Sequence, residues 1–293
     1  MKSIFILDSF PALGTLFWIE VFEDLPDEKI SEISEMIIKE ILEFENLYSR
    51  FKPDSLVSKL NTEGNLANPP LELLTMLSYS MEINQLTGGV FNVCLGDILE
   101  NSGYDSDLSF KENLTLTNQK NYSMDNILSL SEGNLYLKEG FKIDLGGIGK
   151  GFLIDKITKI LLEKFQLKYF LVNGGGDIFV TSDNENPVEI FLENPLNTEL
   201  IIGSVKLKNQ ALGASSPFKR IWFGDKTNTE YSHIVDLKNI NKFNSSFVVG
   251  KNATICDMLA TCLCIDENCI LGFNEVSYLV LDRVGEVIKN TLE

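Results

Sequence analysis

The sequence predicts a mixed α+β fold in which largely antiparallel sheets pack against helices. Three observations lead to this prediction. Apolar runs with strand character occur in groups, helical periodicity appears between the groups, and the two patterns do not alternate as strictly as in a parallel α/β sheet. The 293 residues are 44% hydrophobic and 23% charged, which is typical of a globular protein with a sizeable core.

The N-terminal part of the chain predicts two strands followed by two helices. Residues 3–22 are rich in Ile, Phe, Trp and Val, and the breaks at Pro11 and Gly14 indicate a strand, a tight turn and a second strand. Beyond them, apolar side chains recur every three or four residues, which predicts a long helix with one buried stripe. The stripe consists of Ile30, Ile33, Ile37, Ile41, Phe44 and Tyr48. Residues 71–86, between a pair of prolines and a pair of glycines, predict a second helix.

The rest of the chain predicts mostly strands. Residues 101–134 are polar and rich in Asn and Ser, so we expect loops there and a surface insertion within a single domain that spans residues 1–293. The apolar run 141–145 predicts a strand that leads through glycines into a helix at 152–165. Further strands are predicted at residues 168–172, 188–192, 200–207, 247–250 and 276–281, the second and third of them paired, with a last helix at about 254–265.

The charge balance argues against several classes of partner. The chain has 25 Lys and Arg against 42 Asp and Glu, a net charge of −17, which repels nucleic acid and anionic membrane surfaces. An anionic ligand would have to be met by backbone N–H groups, a bound metal or a few local basic residues. No apolar run reaches the ~18 residues of a transmembrane helix, and the N-terminal residues lack the features of a signal peptide. We therefore expect a cytoplasmic protein.

Cysteine and histidine counts exclude common metal and disulfide frameworks. The five cysteines are odd in number, and four of them lie within residues 256–269 at spacings that match no Cys-x-x-Cys pair. We expect the cysteines at positions 256–264 to lie on a buried apolar helix face. The single histidine, His233, excludes the metalloprotease motif and the Cys2His2 finger, so zinc is not expected.

Two glycine clusters, residues 146–151 and 173–177, each follow a predicted strand. Backbone without Cβ atoms can approach a phosphate closely, and the start of a helix presents free N–H groups to it. Phosphate binding is therefore one interpretation, and Lys150 in the first cluster supports it. The Walker pattern fails because Asp144 stands at its first glycine, and the dinucleotide fingerprint fails because Phe152 replaces its third. The other interpretation is that these glycines are turns and close-packing points.

Two further features offer groups for catalysis. Asp257 and Thr261 are four residues apart in a predicted helix and so share a face. Their hard oxygen atoms suit Mg2+ and phosphoryl transfer, although such a pair also occurs on solvated helix faces. His233 lies at a predicted strand end, where it is a structural histidine, a general base or a phosphate contact. The residues alone leave these roles open.

Taken in order, the motifs resemble the FAD:protein FMN transferase family, also called ApbE, over most of the chain. They are Leu13-Gly14-Thr15, Tyr48-Ser49-Arg50-Phe51 with Ser55 and Asn61, Thr87-Gly88-Gly89-Val90-Phe91-Asn92, residues 143–151 with Asp155, residues 173–177, residues 232–236 and residues 257–261. The resemblance implies a fold related to the T-fold. It also implies that the protein uses Mg2+ to move the FMN moiety of FAD onto a Thr or Ser hydroxyl of a target flavoprotein, with release of AMP.

The resemblance also implies the residues of a site. The family's pattern places the Mg2+ ion on Asp257, Thr261 and the backbone carbonyl of Gly147. It makes Asp257 and His233 the catalytic residues, and we assign His233 to proton transfer or phosphate orientation. The residues implied to contact FAD are Leu13, Tyr48, Val90, Phe91, Asn92, Asp144, Lys150 and Ile234.

Several positions depart from the family's pattern. The family usually has Met where Leu13 stands, Asp where Asn92 stands, and a Thr-Ser-Gly stretch in place of residues 214–216. The segment after His233 lacks the family's Asp-Pro and Thr-Gly turn. These differences leave two alternatives open: a Mg2+-dependent FAD pyrophosphatase that releases FMN and AMP, and a FAD-binding protein that has lost catalysis.

Overall fold

The computed structural model describes residues 4–113, 121–182, 186–237, 244–270 and 273–292. Its helices are α1 (Asp27–Tyr48), α2 (Leu56–Glu63), α3 (Leu71–Leu86), α4 (Gly96–Asn101), α5 (Gly149–Glu163) and α6 (Ala253–Ile265). Its strands are β1 (Ile4–Ala12), β2 (Thr15–Val21), β3 (Asn65–Ala67), β4 (Leu128–Ser131), β5 (Asn134–Leu137), β6 (Phe170–Gly174), β7 (Asp177–Thr181), β8 (Val188–Asn194), β9 (Asn197–Leu207), β10 (Gln210–Ser215), β11 (Ile221–Phe223), β12 (Glu230–Ser232), β13 (Ser245–Gly250), β14 (Ser277–Leu281) and β15 (Val287–Asn290).

The centre of the structure is an eight-stranded sheet with the order β1-β2-β6-β7-β10-β13-β14-β15. Each neighbouring pair in this sheet is antiparallel. Strands β3, β5 and β4 form a smaller sheet, while β8–β9 and β11–β12 form two-stranded hairpins. Antiparallel sheets packed with helices confirm the predicted α+β fold.

Helices cover one face of the main sheet, and a hairpin covers the other. Helix α5 packs on β6 and β7, α6 packs on β10 and β13, and α1 packs on β1 and α5. On the opposite face, Leu192, Val205 and Leu207 of the β8–β9 hairpin join Leu171 and Leu212 of the sheet in a second apolar cluster. Because both faces are covered, β6 is buried along its whole length.

The predicted N-terminal elements are confirmed. Strands β1 and β2 pair antiparallel around a turn at Leu13 and Gly14. Helix α1 buries the predicted stripe of Ile33, Ile37, Ile41, Phe44 and Tyr48, while Ile30 is half-buried. The predicted helices near residues 71–86 and 254–265 are α3 and α6, and the predicted paired strands are β8 and β9. The periodicity of apolar residues along the chain was sufficient to predict these elements.

The strand predicted at residues 141–145 is wrong. This segment is irregular, because a side chain takes the place of a neighbouring strand. The Asn61 amide donates to the Ile143 carbonyl (2.9 Å) and accepts from the Ile143 N–H (2.7 Å). The N–H of Asp144 donates to the Val93 carbonyl (2.8 Å). These bonds satisfy backbone groups that would otherwise need a ladder partner.

Other parts of the fold were not predicted. Helix α2 and the two central strands β7 and β10 have no clear periodic signal, although β7 and β10 pair in the middle of the sheet. The polar segment 101–134 contains β4, and its residues 114–120 lie outside the described residues. The assignment of this segment as an insertion, and of residues 1–293 as one domain, stays a prediction.

Helix α6 lies very close to β10 and to the first turn of α5, and glycines permit this approach. A Cβ atom on Gly213 of β10 would lie 2.7 Å from the backbone nitrogen of Asp257. A Cβ atom on Gly151 of α5 would lie 2.9 Å from the Cβ of Asp257. Cys256, Cys262 and Cys264 are buried on α6, as predicted for an apolar face. None of the described helices is both long and apolar enough to cross a membrane.

Because α6 lies so close to β10, one methyl group added to Gly213 should strongly reduce the stability of the protein. We expect Gly213→Ala to lower the free energy of unfolding by about 3 kcal/mol, because the new Cβ meets backbone that no rotamer change can move. The melting temperature should fall by roughly 5–10 °C, measured by circular dichroism. Gly203→Ala in β9 is the matched control, since a Cβ there meets nothing within 4 Å. Equal melting temperatures for the two variants would contradict this account of the packing.

Candidate functional site

The central feature of the candidate site is a lysine between two buried carboxylates, called here the carboxylate–lysine cluster: Lys150, Asp177 and Asp257. The Lys150 Nζ atom lies 2.9 Å from Asp177 Oδ2, and 2.9 and 3.1 Å from the two carboxylate oxygens of Asp257. The side chains of Asp177 and Asp257 are 0% and 3% exposed, against 25% for Lys150. Because buried carboxylates need a compensating charge, the ammonium group holds the three elements α5, β7 and α6 together.

Backbone N–H groups complete the binding of both carboxylates. Asp257 Oδ2 accepts a hydrogen bond from the Gly151 N–H (3.0 Å), and Asp177 Oδ1 accepts one from the Ala214 N–H (2.9 Å). Gly151 therefore acts as a close-packing glycine whose N–H faces a carboxylate of the protein itself. This observation favours the packing interpretation for the end of the first glycine cluster.

The start of α6, which carries Asp257, is fixed by a second acidic residue. Asp155 of α5 accepts hydrogen bonds from the N–H groups of Ala253 and Thr254, both at 2.8 Å. The Asn252 side chain caps the same helix by accepting from the Ile255 N–H (2.9 Å). Capping of this kind satisfies the free N–H groups of the first turn and fixes the helix position. Asp155 was part of a sequence motif, and the structure shows that it positions α6.

The charges of the cluster perturb one another. Burial, followed by the nearby Asp177 carboxylate, raises the pKa of Asp257 above its ordinary value, and the Lys150 ammonium partly opposes this shift. Burial alone would lower the pKa of Lys150, but the two carboxylates outweigh burial and raise it. Lys150 is therefore a permanent cation at neutral pH.

The three residues predicted to hold a metal come together next to this cluster. The Thr261 Oγ1 atom lies 3.7 Å from the position of a Cβ on Gly147, and Asp257 is one helical turn before Thr261 on α6. A carboxylate, a hydroxyl and a backbone carbonyl are hard oxygen donors of the kind that Mg2+ prefers, so the donor set fits that ion. Among the described residues no group of three or more His, Cys, Asp or Glu side chains could hold a metal. Substrate oxygens or water would have to complete the coordination.

Asp144 shapes the glycine turn that carries Gly147. Its Oδ1 accepts a hydrogen bond from the Gly146 N–H (2.6 Å), and its Oδ2 accepts one from Arg50 Nε. The Arg50 side chain is only 3% exposed and also donates to the Tyr104 carbonyl (2.6 Å). Arg50 was not among the predicted site residues, although it lies in a quoted motif. The structure shows that it orients the Asp144 carboxylate, which was predicted to contact FAD.

The segment with Val90, Phe91 and Asn92 packs against the same turn. Val90 and Phe91 are buried, and a Phe91 ring atom lies 3.2 Å from the position of a Cβ on Gly147. Asn92 donates to the Tyr122 carbonyl (2.7 Å) and accepts from the Cys94 N–H (2.8 Å). Asn92 therefore uses both ends of its amide to hold this segment in place.

The structure places His233 directly after β12 and within the electrostatic influence of the cluster. Its Nδ1 atom is shielded from solvent and has no hydrogen-bond partner among the described residues. Burial, and then the positive charges of Arg220 and Lys150, lower the pKa of His233 to about 4, so the ring is neutral at pH 7. Ile234 is buried beside it, and its N–H donates to Ser232 Oγ (3.2 Å).

Leu13 and Tyr48, two of the residues predicted to contact FAD, lie in surroundings that differ from each other. Leu13 has a φ of 51° in the β1–β2 turn, and its N–H donates to Glu45 Oε1 (2.8 Å). Tyr48 lies in the core with its ring centroid 4.8 Å from that of Phe44, and its hydroxyl pairs with Glu72. These contacts place Tyr48 in the core of α1 and do not link it to the carboxylate–lysine cluster. Its contact with FAD stays a prediction.

An aromatic cluster that sequence reasoning missed lies beside Arg50. The Trp222 ring stacks between Tyr104 and Tyr231, with centroid distances of 5.8 and 6.1 Å. Phe51 meets Tyr104 edge-on at 5.5 Å, and Phe110 meets Trp222 at 5.4 Å. The members come from three separate segments of the chain, namely residue 51, residues 104–110 and the β11–β12 hairpin, so no local pattern could have brought them all together. Phe51 alone had a signal, because it follows Arg50 in a quoted motif.

The glutamate Glu112 ties this aromatic cluster to the β11–β12 turn. Its carboxylate accepts hydrogen bonds from the N–H groups of Lys226 (3.0 Å) and Thr227 (2.8 Å) and from the Tyr231 hydroxyl (2.7 Å). Hydrogen bonds, first of all the one from the Thr227 hydroxyl, lower the pKa of Glu112 to about 2. The Glu112 carboxylate is therefore ionised at neutral pH, where it accepts the hydrogen bonds of the β11–β12 turn.

The amino-acid sequence of this chain is similar to those of known proteins over most of its length. A sequence model of the ApbE family matches residues 13–272. The FAD:protein FMN transferase of Buchnera aphidicola is 26% identical over 270 residues, which cover 85% of this chain and 76% of that protein. The enzyme of the same name from Treponema pallidum is 24% identical over 299 residues, covering 93% and 80%.

Solved structures show the same fold. The ApbE protein of Thermotoga maritima superposes with a TM-score of 0.80 at 23% identity, covering 99% of this chain and 97% of that one. The flavin transferase ApbE of Vibrio cholerae gives a TM-score of 0.76 at 20% identity, covering 100% and 98%. The similarity therefore extends over the full chain, including the sheet that carries the carboxylate–lysine cluster.

The cluster predicts how stability responds to loss of its cation. We expect Lys150→Met to lower the free energy of unfolding by about 3–5 kcal/mol, because two buried carboxylates lose their counter-charge. The deficit should shrink as pH falls, since a carboxyl group whose folded-state pKa is raised binds protons more tightly in the folded state. Urea unfolding at pH 6 and pH 8 in EDTA measures both effects. Lys150→Met combined with Asp177→Asn removes one charge of each sign and should regain part of the loss. A single variant as stable as the unmodified protein at pH 8 would refute this role of Lys150.

Proposed function

Because the chain belongs to the ApbE family, we propose that it is a Mg2+-dependent FAD:protein FMN transferase. It would move the FMN moiety of FAD onto a Thr or Ser hydroxyl of a target flavoprotein and release AMP. The names of the curated relatives support the flavin transferase class. The observation that carries the proposal is the convergence of Gly147, Asp257 and Thr261 beside Lys150. The cytoplasmic location of the enzyme and its target stays a prediction.

In this proposal, each residue around the metal position has a defined role. Asp257, Thr261 and the Gly147 carbonyl would hold Mg2+, which when bound neutralises charge on the phosphoryl oxygens. Lys150 partly opposes the rise in the pKa of Asp257 that burial causes, and it adds a fixed positive charge next to this carboxyl group. Asp144, itself held by Arg50, binds the N–H of Gly146, which directly precedes Gly147 in the turn.

The transfer itself requires little covalent work from the protein. The acceptor hydroxyl loses its proton, and its oxygen forms a bond to the FMN phosphorus. The bond from that phosphorus to the bridging oxygen breaks, and AMP leaves with the bridging oxygen. The neutral ring of His233 is a suitable acceptor for the proton, because it carries a free lone pair at neutral pH.

The departures from the family's pattern are compatible with this assignment where the structure describes them. Asn92 stands where the family usually has Asp, and its NH2 group donates to the Tyr122 carbonyl. An ionised aspartate could not make that bond, because it has no donor. Ser216 caps the short turn before Arg220 by accepting from the Phe218 N–H (3.3 Å). These polar groups therefore hold the loops around the site in this chain.

The proposal is tested by incubating the protein with FAD, Mg2+ and a candidate flavoprotein, followed by intact-mass spectrometry of the flavoprotein. We expect a covalent increase equal to FMN less one water, and its loss in EDTA. Free FMN and AMP without an adduct would support the pyrophosphatase alternative. Bound FAD that stays intact in Mg2+ would support the alternative of a FAD-binding protein without catalysis.

Variants of the metal residues test the assignment of the site. We expect Asp257→Asn to slow FAD cleavage at least 100-fold, and Thr261→Val to slow it by roughly 10–100-fold, since each loses an oxygen donor to the metal. Thr75→Val, at a half-buried position of α3 where the hydroxyl donates to the Leu71 carbonyl, and Asp125→Asn on the exposed surface are matched controls and should leave the rate unchanged. Cleavage at the unmodified rate in Asp257→Asn would show that the metal lies elsewhere.

A further inference from the structure

The ammonium group of Lys150 is fully engaged by carboxylate oxygens of the protein itself. A lysine ammonium group has three N–H donors and no acceptor. The same number of carboxylate oxygens lies within reach of Nζ: Oδ2 of Asp177 at 2.9 Å, and Oδ1 and Oδ2 of Asp257 at 2.9 and 3.1 Å. In this structure, Lys150 is therefore the counter-ion of two carboxylates, one of which is proposed to bind the metal.

The two carboxylate oxygens of Asp257 differ in what they can still accept. Each oxygen of a carboxylate has two lone pairs. Oδ2 accepts hydrogen bonds from Lys150 and from the Gly151 N–H (3.0 Å), so both of its lone pairs are used. Among the described residues, only Lys150 donates to Oδ1. Oδ1 is therefore the Asp257 atom that can accept a metal ion, and it is also the oxygen nearest to the ammonium group.

A metal ion on Asp257 would lie close to the positive charge of Lys150. The Nζ atom is 2.9 Å from Oδ1. Because Mg2+ binds a carboxylate oxygen at about 2.1 Å, an ion on Oδ1 could be no farther than about 5 Å from Nζ. Two cations at that distance repel each other, and burial strengthens the repulsion. The ion must either share Oδ1 with the ammonium group or displace it, and both lower the affinity for the metal.

The charge balance of the carboxylate–lysine cluster leads to the same conclusion. Without a metal, the two carboxylates exceed the ammonium group by one negative charge. A divalent cation would reverse this to one excess positive charge, next to carboxylate side chains that are 0% and 3% exposed. An uncompensated charge in such a buried place is unfavourable. The negative charge of a diphosphate group would compensate it, which is where this inference meets the proposed function.

We propose that Lys150 competes with the metal for Asp257, so that its ammonium group keeps the affinity of this carboxylate for a divalent cation low in the protein without substrate. Lys150 then has two effects of opposite sign, because it stabilises the fold and weakens metal binding. The identity of the metal ligand rests on the proposed function. The competition itself is a property of the protein without FAD and can be measured without flavin transfer.

The experiment is a titration of the FAD-free protein with Mn2+, which takes the same oxygen ligands as Mg2+. Electron paramagnetic resonance measures the Mn2+ that stays free in solution. Two variants that differ only at position 150 are compared: Asp177→Asn, and Asp177→Asn combined with Lys150→Met. The double variant has the same net charge as the unmodified protein, and it has one unpaired buried carboxylate fewer than Lys150→Met alone.

The two variants should change the Mn2+ affinity in opposite directions. We expect Asp177→Asn to bind Mn2+ more weakly than the unmodified protein, because the ammonium group then has Asp257 as its only charged partner in the cluster. We expect the double variant to bind Mn2+ about 10-fold more tightly than the unmodified protein, because Oδ1 no longer faces a cation. If Lys150 only supported the structure of the site, its loss would weaken metal binding instead.

Lys156→Met is the matched control for the loss of a lysine. Lys156 lies on the same helix, α5, and also bridges two carboxylates, Glu40 at 3.2 Å and Glu72 at 2.7 Å. This variant should leave the Mn2+ affinity unchanged, because these carboxylates are not among the proposed metal ligands. Circular dichroism confirms that each variant is folded. If the double variant does not fold, Asp177→Asn alone still decides the question.

The competition is overturned if the folded double variant binds Mn2+ no more tightly than the unmodified protein, or if Asp177→Asn binds it as tightly or more tightly. Asp257→Asn should lose Mn2+ binding. Unchanged binding in that variant would show that the metal lies elsewhere, and both the competition and the proposed metal site would then fail. The predicted affinities combined with an absence of flavin transfer would refute the proposed function and leave the competition intact.

Discussion

The arrangement of the site depends on the ion pairs that Lys150 makes with the buried carboxylates of Asp177 and Asp257. Two negative charges removed from water are tolerated only because a cation and backbone N–H groups meet them. The three residues come from α5, β7 and α6, so the ion pairs decide how the two helices sit on the sheet. The glycines at positions 151 and 213 allow the close approach that the charges require. The ion pairs and the close packing of glycines therefore both fix the position of α6 on the sheet.

Several polar residues of the sequence motifs make hydrogen bonds that hold the backbone around the candidate site in place. Asp155 caps α6, Asp144 accepts from the Gly146 N–H while Arg50 holds its other oxygen, and Asn92 anchors its own segment. Groups that are already engaged in this way fix the backbone next to Asp257, Thr261 and Gly147, the residues proposed to hold the metal. A rigid frame of this kind suits phosphoryl transfer, which depends on positioning and charge more than on covalent steps.

The aromatic cluster and the β11–β12 hairpin form a second layer next to this frame. Trp222 and Tyr104 lie at its centre, and Glu112 fastens the hairpin turn to the segment that precedes residue 114. In a chain with a net charge of −17, the arginines Arg50 and Arg220 are concentrated at Tyr104. At this place Arg50 pairs with the Asp144 carboxylate, and the Arg220 guanidinium donates to the Gly14 carbonyl.

The sequence by itself determined the elements that local periodicity encodes. The stripe on α1, the strand–turn–strand at the N-terminus, the β8–β9 pair, and the placement of Asp257 and Thr261 one turn apart on α6 all follow from spacing along the chain. Only the tertiary structure decided which distant groups meet. It paired Asp177 with Lys150, and it replaced a predicted strand by a side-chain contact from Asn61. The physical reason is that such contacts join residues far apart in the chain, and no local pattern records them.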